Sequence, residues 1–310
     1  MQHRRIGSLT ASTVGLGCNN FGWRTDEAAS ADVVRAALDA GITLFDTADI
    51  YGGARSEEFL GRALGSRRRE VVIATKFGGK LQGQGEGARP EYVRRAADAS
   101  LRRLGTDVID LYQLHRPDPS VPIADTLGAL DELVRAGKVR EIGCSNFSVA
   151  DLREAESASA ARPGAANFVS VQNEYSLLHR EPESGMLAEC ERAGLAFLPY
   201  FPLASGLLTG KYRLGRPAPE GTRISGGGRF NELLSERNLT AVEELIAFAE
   251  AHHRSVLELA FSWLLAQPAV ASVIAGATSP RQVRANAAAA DWTLTAADLT
   301  DIDSRMPQAA

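Results

Sequence analysis

Residues 31–47 read ADVVRAALDAGITLFDT and contain, in order, an amphipathic helical stretch, a glycine and an apolar strand. The helical part spaces its apolar side chains at intervals typical of a helix and ends at Gly41, which suits a helix C-cap. The strand after it is apolar enough to be buried on both faces, as strands of parallel sheets are. It nevertheless carries Asp46, and a buried carboxylate needs a partner or a chemical role.

The same kind of apolar run recurs along the chain, with amphipathic helical stretches between the runs. Strands that alternate with helices in this way indicate parallel pairing, with the helices on the outside. The runs are TVGLGC (13–18), ITLFDT (42–47), VVIATK (71–76), VIDLYQLH (108–115), VREIGCSN (139–146), FVSVQNEY (168–175), LAFLPYFP (195–202) and VASVIAG (270–276). Eight such units predict a closed (β/α)8 barrel, which typically takes about 250 residues. We expect residues 1–310 to form this barrel as a single domain.

Some segments lie outside the eight units. The opening residues alternate around Gly7 and Ser8 like a β-hairpin, and we expect this hairpin to cover the bottom of the barrel. A loop at 210–231 is rich in Gly, Pro and Arg and is long enough to indicate function or disorder. Extra helices are predicted towards the C-terminus, including a last one that begins after Thr295.

The composition excludes several classes of protein. The net charge is −4 and the pI is near 5.8, with acids and bases interspersed, so we expect no nucleic-acid or membrane partner. The three cysteines, Cys18, Cys144 and Cys190, are far apart and suit free thiols in a reducing compartment. The N-terminus lacks the apolar core of a signal peptide, and no apolar run is long enough to span a membrane. The sequence therefore predicts a cytoplasmic protein.

Polar side chains interrupt the predicted strands near their C-terminal ends, where barrels of this class carry their chemistry. Asp46 and Tyr51 follow the second strand, Lys76 ends the third, and His115 ends the fourth. The Lys76 ammonium is expected to lower the pKa of Tyr51 below its usual value near 10, while Asp46 keeps Lys76 charged. A tyrosine tuned in this way can donate a proton to a carbonyl oxygen that His115 orients.

Each of these residues also has a structural interpretation when taken alone. Asp46 could cap a strand end, Tyr51 could pack at the rim, Lys76 could be solvated, and His115 could be a rim histidine with satisfied hydrogen bonds. Only their combination indicates catalysis. No HxH or HExxH spacing surrounds His115, so no metal site is predicted.

Longer motifs cover nearly the whole chain. They are GITLFDTADIYGGARSEEFLG (41–61), VVIATKFG (71–78), LGTDVIDLYQLHRPD (104–118), VREIGCSNF (139–147), VQNEYSLL (171–178) and LPYFPLASGLLTGKY (198–212). In these motifs and in their order the chain resembles the aldo-keto reductase superfamily. The resemblance implies a nicotinamide cofactor held across the barrel mouth, hydride transfer from its C4 to a carbonyl, and a catalytic tetrad of Asp46, Tyr51, Lys76 and His115.

The resemblance also implies a set of cofactor contacts. Asn146 and Gln172 would bind the carboxamide, and Tyr200 would stack on the nicotinamide ring. Contacts along the pyrophosphate and adenosine, or at the nicotinamide end, would come from Gly17, Asn20, Ser145, Phe201, Pro202, Leu203, Ser205, Leu207, Lys211, Gly276, Thr278, Gln282 and Asn286.

The preference for one nicotinamide cofactor depends on the last of these contacts. Members that strongly select the 2′-phosphate place lysine, serine and arginine where this chain has Gly276, Ala277 and Gln282. Arg281 or Arg284, or Ser279 at a helix N-terminus, could bind the phosphate instead. The expectation is NADPH, with NADH as the alternative.

The substrate is expected to be a small-molecule aldehyde or ketone, and the loop sequences do not identify it. Trp23 and His179 are candidates for the substrate pocket, with core packing as the alternative for Trp23. A different class of function is a cofactor-binding regulatory subunit, such as the potassium-channel β subunits that resemble reductases. The short segment before the first barrel strand favours the enzyme. A metal-dependent hydrolase would need ligands at several strand ends that this chain lacks.

Overall fold

The computed structural model describes residues 1–81, 85–222, 224 and 233–306, and eight of its strands form one parallel sheet. In chain order they are β3 (Val14–Gly17), β4 (Leu44–Asp46), β5 (Val72–Phe77), β6 (Ile109–Leu114), β7 (Val139–Ser145), β8 (Phe168–Gln172), β9 (Ala196–Phe197) and β10 (Val273–Gly276). From β3 to β9 each strand pairs with the next along the chain, and β10 pairs with β3. All eight predicted strands are present, and the seventh, predicted over 195–202, is shorter than expected.

The sheet closes between β9 and the segment that leads into β10. The Phe197 N–H donates to the Ala269 carbonyl at 2.8 Å, and the Ala271 N–H donates to the Phe197 carbonyl at 3.0 Å. Together with the pairing of β10 and β3, these bonds complete the ring of strands. The predicted (β/α)8 barrel is therefore confirmed.

Helices cover the outside of the sheet. They are α1 (Glu27–Asp39), α2 (Arg55–Leu64), α3 (Pro90–Leu104), α4 (Ile123–Arg135), α5 (Val149–Ala160), α6 (Met186–Ala193), α7 (Glu236–Ala251), α8 (Val256–Leu265), α9 (Pro280–Ala288) and α10 (Ala296–Arg305). Their ends follow local chemistry: Asp26 caps α1 by accepting from the Ala29 N–H, and Gly105 ends α3 with a φ of 62°. The helices and the outward strand faces share one buried cluster, which includes Phe45, Ile73 and Val93.

A hairpin of β1 (His3–Ile6) and β2 (Leu9–Ser12) covers the N-terminal end of the barrel. Ile6 and Leu9 are fully buried, and they share a separate apolar cluster with Leu44, Leu111 and Leu198 of the barrel segments. This cluster fills the lower barrel, so the hairpin acts as the predicted lid. Polar side chains lie instead at the opposite end of the barrel, where the C-termini of the strands meet.

The C-terminal half departs from a minimal barrel, as predicted. Both α7 and α8 lie between β9 and β10, and α10 begins after Thr295, whose hydroxyl accepts from the Asp298 N–H. Within the long loop predicted at 210–231, residues 223 and 225–231 lie outside the described residues. In the described part of the chain, no helix has both the length and the apolar character needed to cross a membrane.

The packing of α2 on α3 depends on Gly61. A Cβ added there would overlap the carbonyl oxygen of Leu104, which is backbone and cannot move aside cheaply. Gly61→Ala should therefore destabilise the fold by about 1–3 kcal/mol and lower the melting temperature in a thermal unfolding experiment. The control is Gly128→Ala in α4, where a new Cβ meets only the end of the Arg162 side chain. Because alanine favours helix by about 1 kcal/mol over glycine, that variant should be neutral or stabilising. Equal melting temperatures for the two variants would contradict this role for Gly61.

Candidate active site

The candidate site lies where the C-terminal ends of the barrel strands converge. Asp46 is the last residue of β4, Lys76 lies near the end of β5, and His115 directly follows β6. Tyr51 lies in the turn after β4, where its N–H donates to the Ala48 carbonyl at 3.2 Å. Gly52 follows with a φ of 59°, and any Cβ there would overlap the Phe21 carbonyl oxygen. The turn can therefore approach the loop after β3 only because this position is glycine.

Lys76 and Asp46 form a buried ion pair beneath Tyr51. The Lys76 Nζ donates to the Asp46 Oδ1 at 2.7 Å and to the Thr47 carbonyl at 2.8 Å. The other carboxylate oxygen, Oδ2, accepts from the Gln172 Nε2 at 2.8 Å. Burial alone would lower the pKa of Lys76, but the Asp46 carboxylate and Tyr51 outweigh burial and raise it. Lys76 is therefore a fixed cation.

Tyr51 lies between this cation and the cavity above it. The Lys76 Nζ is 5.1 Å from the centre of the Tyr51 ring. Burial raises the pKa of Tyr51 above 10, and this effect exceeds the lowering effect of the Lys76 charge. The expectation that Tyr51 has a net pKa below 10 is therefore wrong, although Lys76 acts in the predicted direction. At neutral pH the phenol carries its proton.

His115 faces Tyr51 across the same cavity. The two ring centres are 5.9 Å apart, with the rings nearly perpendicular at 81°. Burial, followed by the charges of Lys76 and Arg116, lowers the pKa of His115 to about 3. Its Nδ1 is buried and forms no hydrogen bond to any described residue. His115 is thus a neutral imidazole that can donate or accept one hydrogen bond without adding charge.

Asn146 connects β7 to both neighbouring elements. It has a φ of 60°, a conformation in which asparagine is more common than most residues. Its Nδ2 donates to the His115 carbonyl at 2.9 Å, and its Oδ1 accepts from the Tyr200 hydroxyl at 2.8 Å. The Ser145 hydroxyl donates to the Gln172 carbonyl at 2.7 Å. The side chains of Ser145, Asn146 and Tyr200 and the backbone carbonyls of His115 and Gln172 therefore join the ends of four successive strands by hydrogen bonds.

These residues border a cavity of about 730 Å³. The cavity brings together most of the residues predicted for catalysis and cofactor binding. They are Gly17, Asn20, Asp46, Tyr51, His115, Ser145, Asn146, Gln172, Tyr200, Phe201, Pro202, Leu203, Ser205, Lys211, Gly276, Thr278, Gln282 and Asn286. Lys76 and Leu207 are fully buried and are absent from the lining.

The loop after β9 forms one wall with unusual backbone geometry. Phe201, Ala204 and Ser205 have φ values of 51°, 44° and 57°, in the left-handed region that non-glycine residues rarely adopt. Each such residue costs about 1–3 kcal/mol and tends to occur at binding sites. A 3-10 segment over Ala204–Thr209 then leads to Lys211, whose side chain reaches the cavity.

The opposite wall is formed by the start of α9. A Cβ at Gly276 would lie 3.2 Å from both the Asn19 Oδ1 and the Asn20 Nδ2, so glycine leaves room for a close approach here. The Gln282 Oε1 accepts from the Thr278 N–H at 2.7 Å, which keeps this side chain folded over the helix start. Arg281 and Arg284, the candidates for phosphate contact, are exposed on α9 and do not line the cavity.

The remaining predicted pocket residues lie elsewhere. Trp23 is 60% exposed and does not line the cavity, so the alternative of a core position for it is wrong. His179 also does not line the cavity, and its Nε2 is 3.7 Å from Glu181. In the described parts of the chain, no group of three or more His, Cys, Asp or Glu residues could hold a metal ion.

Sequence reasoning missed several lining residues, of which the charged ones matter most. Arg24, Arg116 and Glu174 all border the cavity. Their positions in the sequence could have indicated Arg116, which follows His115, and Glu174, which is two residues after Gln172. Arg24 directly follows Trp23, but its guanidinium donates to the Gly221 carbonyl at 3.1 Å, a contact that no local pattern indicates.

Three comparisons bear on this site. A family model described as the Aldo/keto reductase family matches residues 13–306. Aldo-keto reductase YhdN from Bacillus subtilis is 36% identical over 96% of this chain and 90% of its own length. Aldo-keto reductase yakc [NADP(+)] from Schizosaccharomyces pombe is 37% identical over 85% of this chain and 79% of its own length. The solved structure of the glycerol dehydrogenase AKR11B4 from Gluconobacter oxydans superimposes with a TM-score of 0.84 at 31% identity, and the match covers 98% of this chain and 94% of that one.

The lowered pKa of His115 leads to a testable prediction. In proton-detected NMR, the ring signals of His115, assigned with a His115→Gln variant, should stay constant from about pH 8 to about pH 5. A histidine in the unfolded chain titrates near 6.5, and the folded value is about 3, so His115 should destabilise the fold progressively below pH 6.5. A titration midpoint for His115 near 6.5 would contradict the neutral imidazole.

Proposed function

Because the chain belongs to the aldo/keto reductase family, we propose that it reduces an aldehyde or ketone to the alcohol with NADPH, using Tyr51 as the general acid. The names of its relatives support this reaction class. One is named for NADP(+), and a structural neighbour is a glycerol dehydrogenase, whose name refers to the alcohol side of the same chemistry.

The observation that carries the proposal is how the Lys76–Asp46 pair, Tyr51 and His115 are arranged at the floor of the cavity. The buried Lys76–Asp46 pair lies under the Tyr51 ring, and the neutral His115 lies beside it. A carbonyl oxygen within reach of both Tyr51 and His115 would meet one proton donor and one hydrogen-bonding partner. Such an arrangement favours the transition state in which that oxygen becomes an alkoxide.

The cavity also fits a dinucleotide. Small residues at Gly17 and Gly276 allow close approach of a ligand, and amide side chains lie at Asn146 and Gln172 near the catalytic end. The loop after β9, with its left-handed residues, leads to Lys211, which adds a cation to the lining of the same cavity. When bound, the nicotinamide supplies the hydride that is transferred to the carbonyl carbon.

The proton then comes from the protein. Tyr51 holds its proton at neutral pH, because burial raises its pKa, and it can transfer that proton to the substrate oxygen. The phenolate that remains is next to Lys76, whose charge lowers the cost of ionising a buried phenol. Asp46 keeps Lys76 in place throughout the transfer. His115 orients the substrate oxygen without competing as an acid, because its ring is neutral.

NADPH is favoured over NADH by charge at the start of α9. Arg281 and Arg284 are exposed there, and Ser279 caps the helix by accepting from the Gln282 N–H. A 2′-phosphate that extends from the cavity past Gln282 would lie near these exposed guanidinium groups and the positive end of the helix dipole.

The direct test uses purified protein with a panel of aldehydes and ketones, following the absorbance of the reduced nicotinamide. We expect turnover with NADPH, and a dissociation constant for NADPH below that for NADH. Tight cofactor binding without turnover of any substrate would instead favour a regulatory subunit. Turnover that disappears with a chelator would contradict proton transfer by Tyr51.

Replacement of the acid tests the assignment of Tyr51. Tyr51→Phe should leave the dissociation constant for NADPH nearly unchanged while it lowers kcat by at least about a hundredfold, because a positioned proton donor is lost. The matched control is Tyr112→Phe on β6, whose buried hydroxyl has no hydrogen-bond partner among the described residues. That variant should keep its kcat. Retained turnover in Tyr51→Phe would show that another group donates the proton.

A further inference from the structure

The hydroxyl of Ser56, the second residue of α2, lies behind the candidate active site and does not border its cavity. Ser56 is fully buried. Its Oγ donates to the Cys18 carbonyl at 2.9 Å and lies 2.8 Å from the Thr47 Oγ1. A serine hydroxyl carries one proton, and a carbonyl can only accept, so the Thr47 hydroxyl must donate to Ser56. The hydrogen bonds therefore run in one direction, from Thr47 to Ser56 and from Ser56 to the Cys18 carbonyl.

Thr47 connects this pair of hydrogen bonds to Lys76. It directly follows Asp46, and its backbone carbonyl accepts from the Lys76 Nζ at 2.8 Å. Its N–H donates to the Ala74 carbonyl at 2.8 Å, and its side chain is fully buried. Because the carbonyl and the hydroxyl belong to one residue, the bond from Thr47 to Ser56 also restrains the carbonyl that holds Lys76.

Cys18 connects the same hydrogen bonds to the loop after β3. Its carbonyl accepts from the Ser56 hydroxyl and also from the Phe21 N–H, at 3.0 Å. The Phe21 carbonyl is the atom that a Cβ at Gly52 would overlap. The loop after β3 is therefore the surface against which the turn that carries Tyr51 packs, and the Ser56 hydroxyl joins that surface to α2.

The backbone of Ser56 adds a third connection, because its N–H donates to the Tyr51 carbonyl at 3.2 Å. Ser56 thus contacts the residue that holds Lys76, the loop after β3 and the residue expected to donate the proton. Burial raises the pKa of Tyr51, and the charge of Lys76 lowers it. Because the attraction between a cation and a phenolate weakens with distance, the separation of Lys76 and Tyr51 sets how much the cation helps the phenol to ionise.

We propose that Ser56 is a positioning residue for proton transfer from Tyr51: its hydroxyl, acting through Thr47, holds the Lys76 ammonium where it stabilises the phenolate. This inference rests on the proposed function, in which Tyr51 is the acid. The hydroxyl itself is required, because position 56 must accept from Thr47 and donate to Cys18 at the same time. An alanine there would leave both buried partners without their hydrogen bond.

Ser56→Ala tests this role, with Ser12→Ala as the matched control. Ser12, on β2 at the opposite end of the barrel, is also fully buried; its Oγ donates to the Val14 carbonyl at 2.7 Å and accepts from the Thr43 N–H at 2.8 Å. Each variant loses one donated and one accepted hydrogen bond, so both should lower the melting temperature. Only Ser56→Ala should lower kcat, by about tenfold or more, with the dissociation constant for NADPH nearly unchanged.

The solvent isotope effect on kcat shows whether the proton transfer is the step that slows. The ratio of kcat in H2O to kcat in D2O should be larger for Ser56→Ala than for the wild type, and Ser12→Ala should keep the wild-type ratio. Thr47→Val is a second variant, which keeps the shape of the side chain and removes only the hydroxyl that donates to Ser56. It should lower kcat and raise the isotope effect in the same direction, and it decides the question if Ser56→Ala does not fold.

If Ser56→Ala and Thr47→Val keep the wild-type kcat while Tyr51→Phe loses turnover, the positioning role is overturned and the proposed function stands. An equal loss of kcat in Ser12→Ala would also overturn it, because the loss would then follow from stability alone. If the wild type reduces no carbonyl compound, the proposed function fails, and crystal structures of the wild type and Ser56→Ala decide. The Lys76 Nζ should then lie farther from the centre of the Tyr51 ring in the variant than the 5.1 Å of the wild type, and an unchanged distance would refute the role of Ser56.

Discussion

The buried ion pair between Lys76 and Asp46 is the interaction on which the site depends. Removing one member of such a pair leaves an uncompensated charge, at a cost of roughly 3–5 kcal/mol, so neither residue is stable there alone. The barrel stabilises the pair by satisfying the remaining atoms with the Thr47 carbonyl and with Gln172, which lies on the far side of the ring of strands. The closed sheet and the charge pair therefore support each other, because only closure brings β8 opposite β4.

Through this pair, Asp46 holds Lys76 as a fixed cation at the floor of the cavity. Lys76 lowers the pKa of His115 by repulsion, in addition to burial, and so keeps the ring neutral. Tyr51 is kept protonated by burial, and Lys76 limits but does not reverse that effect. Tyr51 is thus a protonated phenol next to Lys76, whose charge stabilises the phenolate. An acid in this state donates only when a stronger base, such as a developing alkoxide, appears beside it.

The apolar runs and the polar residues that end them were enough to predict the barrel, the hairpin and the positions of the tetrad. The prediction of the seventh strand was less accurate: β9 spans only Ala196–Phe197. Leu198 and Tyr200 still donate to the carbonyls of Val171 and Asn173, but Pro199 has no N–H with which to continue a regular strand. The direction of the Tyr51 pKa shift could not be predicted, since it depends on how deeply the phenol is enclosed. Contacts such as Arg24 with Gly221 join loops far apart in sequence, and no local pattern encodes them.

The turn between β4 and α2 holds Asp49 and Tyr51, whose positions the strands alone do not explain. Tyr51 lines the active-site cavity, and Asp49, two residues earlier, is buried with its carboxylate 3.5 Å from the Tyr92 hydroxyl. The shape of the turn is held by the backbone bond from Asp49 to Lys76 and by Gly52, where a larger residue would collide with the loop after β3. These two contacts lie on either side of Tyr51 in the chain. The position of the Tyr51 side chain therefore depends on the conformation of the whole turn.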